Sequence, residues 1–321
     1  MHLLSAIATL LPLITQGFAS VTTARQPHFN WHETRYVYAF GDSYTYIQGT
    51  EGRTNFSFIG DAFNFSFTPR ELLSNEIVPK FTSSDGSNWI EFLTGCMSGR
   101  PSRCRRQLWN FAFAGADIDS NLLPLHHDYT IPLTDEVKQW ATYAADILPR
   151  PARETLTAWW IGINDTGDSF GNTTITDRDA FWDAEMDSYF GAVEKAYSRG
   201  LRGTYLFINV PPGHRAPARV NDPTGQALLK QNINQYNSKL AKRVQQFRAK
   251  HQDMTVLTFD SYTWFNGVLD NASRYGFKNT TGFCQCKDPS FFWFNSGHPT
   301  EHVHKLLAQA IEAQLLKASH H

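Results

Sequence analysis

The stretch YVYAFGDSYTYIQG, residues 36–49, is the part of this 321-residue chain from which the fold is best approached. It begins with an apolar run typical of a buried strand and then changes abruptly at Gly41-Asp42-Ser43. Gly-Asp-Ser is ordinary turn chemistry. The same tripeptide would also suit a serine nucleophile that is held at the end of a strand. The rest of the chain has to separate these two interpretations.

Short runs of apolar, β-branched or aromatic residues recur along the chain, and longer helical patterns separate them. After residues 36–40 the runs occupy 108–114, 156–162, 204–210 and 255–259, and the helical patterns occupy 134–148, 177–200, 225–251 and 298–318. Strands that alternate with helices indicate a parallel sheet covered on both faces. We therefore predict an α/β fold: a three-layer α/β/α sandwich with a parallel sheet of about five strands.

The composition limits the classes of function. Hydrophobic residues make up 41% of the chain and charged residues 18%, which is enough apolar material for a packed core. The formal net charge is −1. Proteins that bind nucleic acid need a basic surface, so we expect no nucleic-acid partner.

The N-terminus predicts export. Residues 3–14 form an apolar run too short to span a bilayer, and small Gly17 and Ala19 follow at the spacing of a signal-peptidase site. We predict a cleaved signal peptide at residues 1–19 and a single domain at 20–321. No other segment reaches transmembrane length, so we expect a secreted, extracellular protein without stable membrane insertion.

Sequons and cysteines support this compartment. Sequons predict glycosylation at Asn55, Asn64, Asn172, Asn271 and Asn279. Disulfides are favoured in exported proteins, and the four cysteines suggest the pairs Cys96–Cys104 and Cys284–Cys286, although sequence does not fix connectivity. The four cysteines could instead bind zinc, but they lack the usual C-x-x-C spacing, and we expect no metal.

Small and polar residues follow the predicted strands. In parallel sheets, ligands bind at the carboxyl ends of the strands. The residues at those ends include Ser43, Gly115, Asn164 and His214. A serine nucleophile needs a base within hydrogen-bond reach and donors for the oxyanion. His298, on the turn into the last helix, is the best-placed base.

Four blocks of sequence resemble those of the GDSL or SGNH hydrolases, in the same order. They are FGDSYT at 40–45, NFAFAGA at 110–116, GIND at 162–165 and NSGHPT at 295–300. The residues of these blocks are most similar to those of the secreted fungal acetylesterases of carbohydrate esterase family sixteen. The resemblance implies a flavodoxin-like SGNH hydrolase domain that hydrolyses esters through a serine, without metal or cofactor. It also implies a small acetylated carbohydrate as substrate, and we expect a monomer.

The resemblance assigns roles position by position. Ser43 matches the nucleophile and contributes its own N–H to the oxyanion hole, together with the Gly115 N–H and the Asn164 side-chain amide. His298 matches the catalytic base. Asn164 also lies in a sequon, and we predict that it is unmodified, because a glycan would block the site.

One position departs from the family pattern. The family usually has aspartate three residues before the histidine, where this chain has Asn295. The catalytic set would then be Ser43, His298 and Asn295, with asparagine as a neutral acceptor. Asp288 and Asp128 are weaker candidates to replace the missing carboxylate.

Two alternatives to a carbohydrate acetylesterase remain open at this point. One is a lipid-directed GDSL esterase or lysophospholipase. The other is a catalytically weakened, glycan-binding relative, which would account for Asn295. We interpret His126 and His127 as surface residues of a polar loop.

Overall fold

The structure is a computed structural model, and it describes residues 29–47, 76–77 and 79–319. The predicted signal peptide at 1–19 and the sequons at Asn55 and Asn64 lie outside these residues.

A five-stranded parallel sheet forms the centre, with strand order β2-β1-β3-β4-β5. The strands are β1 (Tyr36–Gly41), β2 (Gln107–Asn110), β3 (Thr155–Trp160), β4 (Thr204–Ile208) and β5 (Thr255–Phe259). Each predicted run therefore contains or overlaps one strand, and the predicted fold class is confirmed. The order reverses beside β1, which places the end of β1 at the topological switch point where such sheets bind ligands.

Helices cover the sheet on both faces. They are α1 (Trp89–Thr94), α2 (Leu133–Gln139), α3 (Ile163–Ser169), α4 (Arg178–Ser198), α5 (Pro223–Lys250), α6 (Ser261–Asp270) and α7 (Glu301–Ala318). Helix α1 packs against α7, while α2 packs against α4 and α4 against α5.

Two adjacent tryptophans show why both faces of the sheet must be covered. Successive side chains of a strand point to opposite faces. Trp159 meets Tyr189 of α4 at 6.4 Å between ring centroids, whereas Trp160 meets Trp89 of α1 at 5.7 Å. Both tryptophans are fully buried. An aromatic pair in the middle of the chain therefore holds the two helical layers to one sheet.

A small parallel pair of strands, β6 (Asn279–Phe283) and β7 (Phe291–Trp293), precedes the turn that carries His298. Disulfides join Cys96 to Cys104 and Cys284 to Cys286, as predicted. Among the described residues, no helix is long and apolar enough to cross a membrane.

Candidate active site

The end of β1 approaches the end of β3 more closely than a side chain would permit. Gly41 has φ +154°, and a Cβ atom built on it would lie 2.1 Å from the carbonyl oxygen of Trp160. Glycine is therefore required where the strand turns into Asp42 and Ser43.

Glu136, a buried residue of α2, binds this strand end through its side-chain carboxylate. One carboxylate oxygen accepts the Gly41 N–H at 2.9 Å, and the other accepts the Phe113 N–H at 3.1 Å. Since Phe113 follows β2, this one carboxylate fixes the exits of two neighbouring strands. Sequence reasoning missed this role, because Glu136 is recognisable there only as an acidic residue in a helical first turn.

A single turn places Ser43 above the strand end. The carbonyl oxygen of Asp42 accepts N–H bonds from Thr45 and Tyr46 at 3.0 and 2.9 Å, and its Oδ1 accepts from Tyr44 N at 3.0 Å. Asp42 is fully buried, and this burial raises the pKa of its carboxyl to about 7. Through these hydrogen bonds Asp42 holds the turn that carries Ser43.

The structure brings Ser43, His298 and Asn295 into one hydrogen-bonded row. Ser43 Oγ lies 2.7 Å from His298 Nε2, and His298 Nδ1 lies 3.0 Å from Asn295 Oδ1. Asn295 thus forms the hydrogen bond to His298 Nδ1 that the family's aspartate would be expected to form. Within the described part of the chain, neither Asp288 nor Asp128 forms a hydrogen bond with His298, whose two ring nitrogens face Asn295 and Ser43.

The orientation of the Asn295 amide fixes the tautomer of the histidine. Asn295 Oδ1 accepts the backbone N–H groups of Gly297 at 2.9 Å and His298 at 2.8 Å. Because both are donors, the atom that faces them must be the oxygen, and the His298 Nδ1 beside it must carry a proton. Nε2 is then the free acceptor for the Ser43 hydroxyl. The neutral asparagine therefore holds the ring in the tautomer that a general base requires.

Tyr44 ties the histidine turn to the serine turn. Its hydroxyl donates to the Gly297 carbonyl at 2.6 Å, and its ring lies 5.5 Å from that of His298. Burial lowers the pKa of His298 to about 4. Asn295 has no charge with which to oppose this effect, so the imidazole stays neutral in mildly acidic solution.

The pH profile should report this environment. A histidine that acts as general base must be neutral. We therefore expect kcat/KM for ester hydrolysis to fall only as the pH drops through the pKa of His298, near 4. Asn295→Asp would place a carboxylate beside the ring and raise the pKa of His298, which shifts the acid limb upward by roughly 1–3 pH units.

Asn234→Asp is the matched control, since it adds the same charge at an exposed position of α5. Its acid limb should coincide with that of the wild type. An Asn295→Asp limb that also coincides with the wild type would disprove the assignment of the limb to His298.

The segments that carry the predicted oxyanion donors lie next to the end of β1 and to each other. Gly115 has φ +84°, a conformation that favours glycine, and its chain segment runs beside β1 through the bond from Phe113 N to Gly41 O at 2.9 Å. Asn164, at the start of α3, donates one amide N–H to the Ala116 carbonyl at 2.8 Å. Among the described residues, the Ser43 N–H, the Gly115 N–H and the second Asn164 amide hydrogen have no hydrogen-bond acceptor. These donors remain available for a ligand.

His126 lies closer to the site than sequence reasoning indicated. A Cβ atom on Gly115 would lie 3.3 Å from the His126 Cβ. His126 Nε2 pairs with Asp168 Oδ2 at 2.5 Å, and this pairing raises the pKa of His126. His126 and His127 are exposed, as predicted. Only the tertiary fold, however, carries the loop of His126 over Gly115.

His214 follows β4 as predicted but makes no hydrogen bond to Ser43 or His298 within the described part of the chain. Its ring is buried and stacks on Tyr262 at 6.1 Å between ring centroids. Glycosylation at Asn172, Asn271 and Asn279, and its absence at Asn164, stay predictions.

Comparison with known proteins gives one matching family and several relatives. The family model described as GDSL-like lipase/acylhydrolase matches residues 37–311. An acetylesterase of Thermothelomyces thermophilus is 31% identical over 94% of this chain and 95% of its own length. A GDSL esterase/lipase of Arabidopsis thaliana is 26% identical over 60% of each chain. The solved structure of a putative GDSL-like lipase from Parabacteroides merdae has 13% identity and a TM-score of 0.48, covering 91% of this chain and 99% of its own.

Proposed function

This chain belongs to the GDSL-like lipase/acylhydrolase family of carboxylic ester hydrolases, and from that premise we propose that it is a secreted serine esterase that removes acetyl groups from carbohydrates. The observation that carries the proposal is the row Ser43–His298–Asn295, with its 2.7 and 3.0 Å contacts at the edge of the sheet. The acetyl preference is proposed from the similarity to the Thermothelomyces acetylesterase.

The first half of the proposed reaction forms an acyl-enzyme. As Ser43 Oγ attacks the acetyl carbonyl carbon, its proton moves to His298 Nε2. The tetrahedral oxyanion accepts hydrogen bonds from Ser43 N, Gly115 N and Asn164 Nδ2. When the intermediate collapses, the sugar oxygen leaves and takes the proton from Nε2.

The second half repeats these steps with water. Water gives a proton to His298 Nε2 as its oxygen attacks the acetyl-serine carbonyl. Collapse then releases acetic acid, with the proton returned to Ser43 Oγ. Asn295 keeps the tautomer but supplies no negative charge to the imidazolium that forms in each half, so we expect catalysis to be weaker than with aspartate.

The proposed extracellular location rests on three features. They are the predicted signal peptide at 1–19, the two disulfides and the sequons. The mature chain, residues 20–321, is proposed to act as one domain and as a monomer.

Acyl-chain profiling tests the substrate class. We expect p-nitrophenyl acetate to be hydrolysed with at least about tenfold higher kcat/KM than the octanoate, a difference of about 1.4 kcal/mol in transition-state binding. Acetate release from acetylated xylo-oligosaccharides should accompany it. A preference for octanoate would instead favour the lipid-directed esterase, and sugar binding without acetate release would favour a glycan-binding relative.

A further inference from the structure

Buried carboxylates closely follow two of the predicted oxyanion donors in the sequence. Asp117 stands two residues after Gly115, and Asp165 directly follows Asn164. Asp117, Asp165 and Glu185 are each at most 1% exposed. Burying several carboxylates together is costly unless protons or a cation compensate their charge.

Within the described part of the chain, Asp117 shares with Glu185 the lack of any side-chain hydrogen-bond partner. Neither of its carboxylate oxygens has a hydrogen-bond partner among the described residues. Burial and the nearby carboxylates of Asp165 and Asp168 raise its pKa. Buried polar groups normally have a partner, so this side chain points to a ligand.

Two further side chains converge on Asp117 from other parts of the chain. His126 comes from the loop between β2 and α2, and Asp168 comes from α3. One ligand atom from each of Asp117, His126 and Asp168 lies within 4.8 Å of the other two. His126 and Asp168 are 31% and 36% exposed at their side chains, which leaves a path from solvent to the group.

We propose that Asp117, His126 and Asp168 form a binding site for a divalent transition-metal ion beside the oxyanion hole. The ligand set indicates the class of ion. An imidazole with two carboxylates suits Zn²⁺ or Mn²⁺, whereas Ca²⁺ and Mg²⁺ prefer oxygen ligands alone. Water would complete the coordination.

His126 and Asp168 would have to move apart to bind one ion together. His126 Nε2 and Asp168 Oδ2 are 2.5 Å apart, the distance of a hydrogen bond. With metal–ligand distances of about 2.0–2.2 Å, neighbouring ligands on a tetrahedral ion stand roughly 3.4 Å apart. Loss of the shared proton and separation of these two half-exposed side chains by about 1 Å would make room.

The ion would connect the segments that carry the predicted oxyanion donors. Asp117 belongs to the segment of Gly115, and Asp168 belongs to α3, which begins beside Asn164. His126 lies over Gly115. A bound dication would fix these segments relative to one another and reduce the repulsion among the buried carboxylates. The site is thus structural and lies outside the Ser43–His298 row.

The test measures metal binding directly and does not depend on esterase activity. The purified protein is treated with EDTA, dialysed and titrated with Zn²⁺ and, separately, Mn²⁺, with bound metal and Tm as readouts. We expect one equivalent to bind and Tm to rise, because a ligand of the folded state stabilises it. His126→Ala and Asp168→Asn should each weaken this binding at least about tenfold, since each removes one of three protein ligands.

Matched variants separate this site from other histidines and acids. His127→Ala removes the neighbouring exposed histidine, and Asp135→Asn removes a carboxylate of α2 whose side chain is 46% exposed. Both should bind the ion as the wild type does. His320 and His321 could themselves bind metal, so all the compared variants retain both residues.

Two results would overturn the proposal. One is the absence of stoichiometric binding and of a Tm shift in the wild type with both ions, which would leave shared protons as the compensation for the buried carboxylates. The other is equal binding by the wild type and both ligand variants, which would place the bound metal elsewhere. Neither result would bear on the esterase assignment, which the acyl-chain assay tests separately.

Discussion

Ser43→Ala is expected to lower kcat for acetyl-ester hydrolysis by at least about 10⁴-fold, while substrate binding changes little. The alanine retains the backbone N–H that is predicted to bind the oxyanion, but it removes the hydroxyl oxygen that lies 2.7 Å from His298 Nε2. Without Oγ no acyl-enzyme can form. The measurement is acetate release at saturating substrate, with the folded state checked by Tm.

Substitutions of Ser43 and His298 should not have additive effects on kcat, because the two residues act as one unit. His298→Ala is expected to cost about as much as Ser43→Ala, and the double variant little more than either, because the second change removes a group that has already lost its partner. Ser198→Ala serves as the control, since Ser198 is exposed and its Oγ donates to the Lys195 carbonyl at the end of α4. Near-wild-type activity in Ser43→Ala would refute the proposed nucleophile.

Gly41→Ala is expected to have the largest effect on stability. Its new methyl group would lie 2.1 Å from the backbone oxygen of Trp160, and no side-chain rotation can relieve a contact with backbone. The strands β1 and β3 would have to separate at the centre of the sheet. We expect a loss of roughly 4 kcal/mol or more in the free energy of unfolding, or failure to fold.

Gly191→Ala provides the matched comparison within the same chain. Gly191 lies inside α4, and a Cβ atom there would meet nothing within 4 Å. This substitution should stabilise the protein by up to about 1 kcal/mol, since alanine favours the helix. Thermal unfolding of both variants checks the pair. A Gly41→Ala protein with the Tm of the wild type would contradict the close approach of the two strands.

The main architecture could be predicted from local patterns. The run before Gly41 and the aromatic pair Trp159-Trp160 are continuous apolar segments, which only strands covered on both faces can bury. The turn chemistry of Gly41-Asp42-Ser43 then placed a hydroxyl at a strand end. These inferences succeeded because burial and backbone conformation impose residue types at known spacing.

Contacts between distant segments could not be predicted in this way. Glu136 fixes the exits of β1 and β2, and His126 covers Gly115, yet neither residue has a sequence pattern that distinguishes it from other polar residues. Their partners are set by how α2 and the preceding loop pack on the sheet. The position of a side chain relative to a remote backbone atom depends on the whole packing arrangement.

Asn295 shows the boundary between the two sources of information. The sequence determined that an asparagine stands where the family usually has aspartate, and that the chain is a parallel α/β protein with a serine after its first strand. Only the tertiary structure decided how asparagine can serve there. The backbone N–H groups of Gly297 and His298 bind the amide oxygen of Asn295 and thereby orient it toward His298 Nδ1. The fold thus fixes the tautomer through hydrogen-bond direction, a property of three-dimensional geometry that no residue type specifies alone.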